Sequence, residues 1–136
     1  MPKNKKPEFK ADFCASCSTT ADTFATVYAS MLESPQFQSL SLSGKYTYLL
    51  CRAQLTSRQG RSCLYNHAKE TGVTYPTNCF VFPAKHAELY GVHRQNLGRN
   101  LSELIDRGFI RKYEDNKSQW KVNVYQFSDK WKDYSA

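Results

Sequence analysis

No run of apolar residues in this 136-residue chain approaches the roughly 20 that a helix needs to cross a bilayer, so a membrane-spanning protein is not expected. The N-terminus, MPKNKKPEFK, is basic but lacks the apolar stretch of a secretory signal, and a cytoplasmic, nucleoid-associated protein is the expectation. Acidic residues are scarce beside basic ones: 12 Asp and Glu stand against 19 Lys and Arg, a net charge of +7. Five cysteines are an odd number in a chain long enough to fold without cross-links, which argues for reduced thiols over a disulfide framework. Histidines number only 3, scattered at positions 67, 86 and 93, with neither a Gly-rich phosphate loop nor an HExxH pair. An enzyme is therefore not expected, nor a cofactor, a resident metal or a small-molecule ligand. Internal repeats and low-complexity blocks are missing too, apart from the N-terminal tail.

What is present is enough apolar matter for one core: 40% hydrophobic residues, including 9 Tyr, 8 Phe and 2 Trp. A small protein this basic meets a polyanion, nucleic acid before an anionic membrane surface. Residues 1–22 read as a flexible basic arm, with Lys3, Lys5, Lys6 and Lys10 against Glu8, and residues 23–136 as the folded domain.

Along that domain, FATVYAS (Phe24 to Ser30) has the β-branched and aromatic content of a strand. Pro35 interrupts any helix begun at Ser30. Tyr46, Leu49, Leu50, Ala53 and Leu55 are spaced for a core helix over about 44–57, with Ser43 available as its cap. Residues 58–78 are the least legible, a loop with a short helix in CLYNHAKET between Gly60 and Gly72. CFVF (Cys79 to Phe82) reads as a buried strand closed by Pro83.

AKHAELY then makes a short helix from Pro83, a residue suited to a first helical turn, to Tyr90; Gly91 ends it in the left-handed conformation. A second helix runs from His93 to Arg107, with Leu97, Leu101, Leu104 and Ile105 forming one apolar stripe. His93 is an unexpected residue at its N-cap. At about 100° per residue, Gln95, Arg99 and Ser102 fall on the opposite side with Asn96 beside them. Arg bonds guanine bidentately, and Gln or Asn bonds adenine, so this face has the groups for reading base edges. Arg94, nearer the core edge, suits a phosphate, and Gly98 on the flank suits a close backbone approach to DNA. Gly108 ends the helix; Phe109, Ile110 and Tyr113 begin a strand, EDNKSQ supplies a turn, and WKVNVYQF alternates with period two. A helix-turn-helix followed by a hairpin is an α+β, winged-helix arrangement: a three-helix core with a C-terminal β-hairpin wing. Lys117 and Lys121, with Arg111 and Lys112, are placed to meet phosphates from the wing, where Glu114 and Asp115 would repel them. Trp131, in FSDKWKDY, is expected to pack back on the domain.

The segments MLESPQFQSLS, YTYLLCRAQ, FVFP, YGVHRQNLGRNLSELIDRGFI and NVYQFSDKWK resemble the winged-helix proteins of bacterial plasmids, phages and conjugative elements. Those in turn are similar to the N-terminal DNA-binding part of Gram-positive replication initiators. The resemblance covers about residues 24–132. The L..L...GFI element is common to many winged-helix families, whereas FVFP and NVYQFSDKWK point to this group. The resemblance implies that Arg94, Gln95, Asn96 and Arg99 occupy the DNA-reading positions of the second helix and Lys117 a wing position. With the chain ending at residue 136, the expectation is regulatory or initiator-like binding to a specific double-stranded DNA sequence rather than initiation itself. A homodimer on a symmetric site is the expected form.

Three other readings are weaker. Cys14 and Cys17, with Cys63 and His67, have zinc-ligand types, but the first pair lies in the tail. Tyr46, Tyr48, Tyr65, Tyr75 and Tyr90 suggest a stacking platform for single strands, although aromatics at helical spacing more often form core. A winged helix used for protein contacts is the serious rival, and it would show an exposed apolar patch instead of gathered positive charge.

Overall fold

The computed structural model describes residues 23–116 and 122–134. It is an α+β structure in which short polar caps start most of the helices. Residues 23–28 have no regular structure and lead into α1 (Ala29–Leu32) and α2 (Pro35–Gln38). Ser34 caps α2 by accepting from the Phe37 N–H, and Pro35 takes the first position, where no N–H is needed. Helix α3 (Leu42–Thr56) starts from Ser41, whose hydroxyl accepts from the Gly44 N–H. Helix α4 (Arg58–Thr71) starts from Ser57 in the same way, through the Gly60 N–H, and ends at Gly72 with φ of 72°. After β1 (Cys79–Val81) come α5 (Ala84–Leu89), α6 (Arg94–Asp106), β2 (Ile110–Glu114), β3 (Val124–Phe127) and a 3-10 turn (Lys130–Asp133).

Three expectations need correction. The strand expected over Phe24 to Ser30 does not form: its last residues begin α1, and Arg52 takes the Thr26 carbonyl at 3.0 Å in place of a ladder partner. The cap of α3 is Ser41, not Ser43, which instead meets Asn100. The stretch read as loop with a short helix is a helix of 14 residues, joined to α3 by Ser57 alone.

The strands form an antiparallel sheet in the order β1-β3-β2. Phe80 and Lys112 both pair with Tyr125, and the β2–β3 register shifts between Lys112 and Glu114. Because side chains alternate across a strand, the sheet has two differently covered faces. Phe80, Tyr125 and Ile110 join Phe37, Tyr48, Leu50, Ala87, Leu97, Leu101, Leu104 and Phe109 in the main core. Cys79, Val81 and Val124 look the other way and pack on Cys63 and Leu64 of α4, with Tyr75 and Val122. Helices α3, α5 and α6 thus share one face of the sheet, and α4 covers the other. Trp131 returns as expected, stacked on Phe109 at 5.5 Å between ring centroids.

Candidate functional site

Helix α6 is the best-oriented element for meeting a partner. Gly91, with φ of 81°, turns the chain after α5, and Val92 is buried inside the turn. His93 serves as N-cap after all, its Nδ1 accepting from the Gln95 N–H at 3.2 Å. Leu97, Leu101 and Leu104 bury the inner face. Two polar anchors fix the helix against α3. The Asn100 amide, buried, donates to Ser43 Oγ at 2.6 Å and Thr47 Oγ1 at 2.9 Å. The Glu103 carboxylate accepts from the Ser41 N–H and hydroxyl at 3.0 and 2.8 Å.

With rotation and height thus set, Arg94, Gln95, Asn96, Arg99 and Ser102 are all exposed. Among the described residues, none of these five side chains has a hydrogen-bond or ion-pair partner in the protein. A Cβ built on Gly98 would meet nothing within 4 Å, so the backbone there is open to close approach.

The hairpin departs further from expectation. Lys117 and Lys121 lie outside the described residues. Arg111 Nε donates to Gln126 Oε1 at 2.6 Å, and its guanidinium lies over the Tyr113 ring at 5.2 Å. Lys112 pairs with Asp115 at 3.5 Å. Glu114 is not a repelling surface charge. Its carboxylate accepts from Asn116 Nδ2 at 2.6 Å and the Tyr75 hydroxyl at 2.9 Å, and lies 3.0 Å from His67 Nε2. These bonds, Asn116 and His67 foremost, hold its carboxyl below the ordinary 4.5. The base of the hairpin is therefore tied to α4 and the loop after it.

A carboxylate favoured in the folded state stabilises it above the ordinary pKa, and that contribution is lost as pH falls through the lowered value. Folding stability should decline as pH drops below about 4.5, and Glu114→Gln should flatten that decline in denaturation measured across pH 3 to 7. Identical acid limbs in the two proteins would refute the role given to Glu114.

Comparison with protein-family models, curated proteins and solved structures finds no match. The functional reading rests on the side chains themselves.

The remaining chemistry-bearing groups do not gather. Cys63 and His67 share α4 but meet different partners: Cys63 Sγ lies 3.7 Å from His86 Nε2, and His67 turns to Glu114. Cys14 and Cys17 are outside the described residues, among which no three His, Cys, Asp or Glu come together as metal ligands. His86 is buried, its pKa lowered by desolvation and by Lys85, which keeps the ring neutral. Cys51 is fully buried, and burial pushes its thiol up, away from thiolate chemistry. The tyrosines do not form a platform: Tyr48 is in the core, Tyr65 is exposed, and the Tyr46 hydroxyl donates to the Tyr90 carbonyl. Leu42, Tyr46 and Leu49 line the outward side of α3, 83%, 45% and 40% exposed. No helix among the described residues is long and apolar enough to cross a membrane.

Asn100 and Glu103 were not anticipated from sequence. The signal was there for Asn100: it falls on the same stripe as Leu97, Leu101 and Leu104, and a polar residue on a core stripe needs a buried partner.

Proposed function

We propose that the protein is a sequence-specific double-stranded DNA-binding domain of the winged-helix kind, non-enzymatic, cytoplasmic and nucleoid-associated, with a regulatory or initiator-like role. One observation carries this reading: α6 presents Arg94, Gln95, Asn96, Arg99 and Ser102 on one exposed face, without partners among the described residues, while Asn100 and Glu103 lock its other side. The order helix, strand, helix, helix, hairpin, with β1 pairing to β3, is consistent with a winged helix to which α4 has been added. In this mechanism α6 enters the major groove, Gln95, Asn96 and Arg99 read bases, Ser102 reaches the same groove, and Arg94 holds a phosphate. Gly98 lets the backbone come close. A symmetric site would be read by a homodimer.

Selection of sequences from a random duplex pool at two salt concentrations tests this. A motif should emerge, with affinity falling steeply in salt. Arg99→Ala should then cost about 1 to 3 kcal/mol on the preferred site only. Arg94→Ala should weaken all duplexes alike and lower the salt slope by about one. Equal loss on preferred and random duplex with Arg99→Ala would remove the base-reading role.

The apolar stripe of Leu42, Tyr46 and Leu49 favours a second reading, a protein-contact module. Absence of duplex binding at low salt would establish that reading over the first.

A further inference from the structure

Helix α4 carries a second outward face that the α6 reading does not use. Its inner side is set by Gly60 and His67, both buried, and by Cys63 and Leu64 against the sheet. At about 100° per residue, Arg58, Arg61, Ser62, Tyr65 and Lys69 fall within one arc on the opposite side. All five are exposed, Tyr65 at 66%. Among the described residues neither arginine nor Lys69 has an ion pair or hydrogen bond through its side chain. Glu70, the one acidic residue of α4, lies about a third of a turn away. Across the groove between α4 and α5, Lys85 adds a further cation near Arg58, with Gln59, Ser62 and Asn66 on the same walls.

We propose that this face binds the backbone of a duplex DNA segment separate from the one held by α6. Charge complementarity selects a polyanion. Spacing selects a duplex: Arg61 and Lys69 are eight residues apart, about 12 Å along the helix at ~1.5 Å per residue, which is about the width of a major groove. Arg58 and Arg61 meet phosphates on one strand and Lys69 those on the other, while Ser62, Tyr65 and Asn66 face the groove between them. A membrane surface would call for aliphatic or Trp side chains among the cations, and this arc has none. The segment is a second one because α4 and α6 lie on opposite faces of the sheet, so their outward sides look away from each other.

The test is a capture assay with the full chain. Protein held on an immobilised duplex carrying its preferred site should retain a second, labelled duplex. The variant Arg58→Gln/Arg61→Gln/Lys69→Gln should bind the first duplex as before but capture the second at least tenfold less. The salt slope of the second event should fall by about three, one for each lost cation. All three side chains are exposed and make no contacts among the described residues, so the fold has no stake in them. In an Arg94→Ala/Arg99→Ala background a single duplex should still bind, and the α4 substitutions should abolish it; this arm reports on α4 even if α6 reads no bases. Undiminished capture by the α4 variant would overturn the proposal, placing any bridging elsewhere, as in a dimer joined through α3. So would a wild-type protein that never holds two duplexes, or α4 substitutions that release only phosphatidylserine vesicles.

Discussion

Phe109→Ala should lower folding stability by about 3 to 5 kcal/mol, a large part of what a domain this size possesses. Phe109 is fully buried at the corner between α6 and β2. It meets Phe37 edge-on at 5.8 Å and Tyr48 at 5.7 Å, and stacks on Trp131 at 5.5 Å. One truncation therefore opens a cavity and breaks three ring contacts, each worth about 1 kcal/mol beyond its area. Neighbours cannot collapse into the space easily, because the flanking backbone is pinned: the Phe109 N–H donates to Leu104 and its carbonyl accepts from Ser128. Gly108, at φ of 83° with Trp131 N only 2.7 Å from where a Cβ would sit, leaves no slack beside it. Urea unfolding of the two proteins gives the difference directly. A loss under 1 kcal/mol would mean that this cluster is not the keystone of the core.

The second large effect is expected from Gly60→Ala, and its sign is opposite to the usual one. In an open helix interior, exchanging glycine for alanine gains about 1 kcal/mol. At position 60 an added Cβ would lie 2.2 Å from the Gln54 carbonyl oxygen and 2.7 Å from the Gln54 Cα and carbonyl carbon. These are backbone atoms of α3, not the end of a side chain that can swing away. Relieving the clash means prising α4 off α3, at about 3 kcal/mol net. Gly98→Ala makes the control, since nothing lies within 4 Å of its Cβ position and a gain of up to about 1 kcal/mol is expected. If thermal denaturation shifts both variants in the same direction, the close approach of α3 and α4 at Gly60 is wrong.

Gly60 also explains why one part of the sequence was readable and another was not. The helix over 94–106 announced itself through Leu97, Leu101 and Leu104, and the strand at Cys79 through an unbroken apolar run bounded by proline. Helix α4 gave no such sign. Its buried side consists of Gly60, Cys63, Leu64 and His67, a glycine and a histidine where a periodic reading looks for large apolar residues. Glycine is there for proximity and histidine for Glu114, and both needs arise from distant segments. The failed strand at Phe24 is the converse case: β-favouring residues with no free strand to pair with, claimed instead by Arg52. On the candidate site, periodicity placed the exposed face of α6 well, because facing away from the core is a local property. The tie between Glu114, His67 and Tyr75 was illegible for the opposite reason. It joins residues 47 and 39 positions apart, and Glu114 read in isolation is only a charge in a turn.

Ser57 has a mechanical meaning. It is at once the last cap of α3 and the first cap of α4, its N–H donating backward to Ala53 and its hydroxyl accepting from Gly60. A hinge needs residues whose dihedral angles are free to change, and here both helices lay claim to the same pair of angles. The angle between α3 and α4 is thereby a constant of the fold. Since α3 also anchors α6 through Ser41, Ser43 and Thr47, the bearing of α4 on α6 is constant as well. The domain is built like a set square: whatever lies along its two edges is held at an angle that the protein dictates.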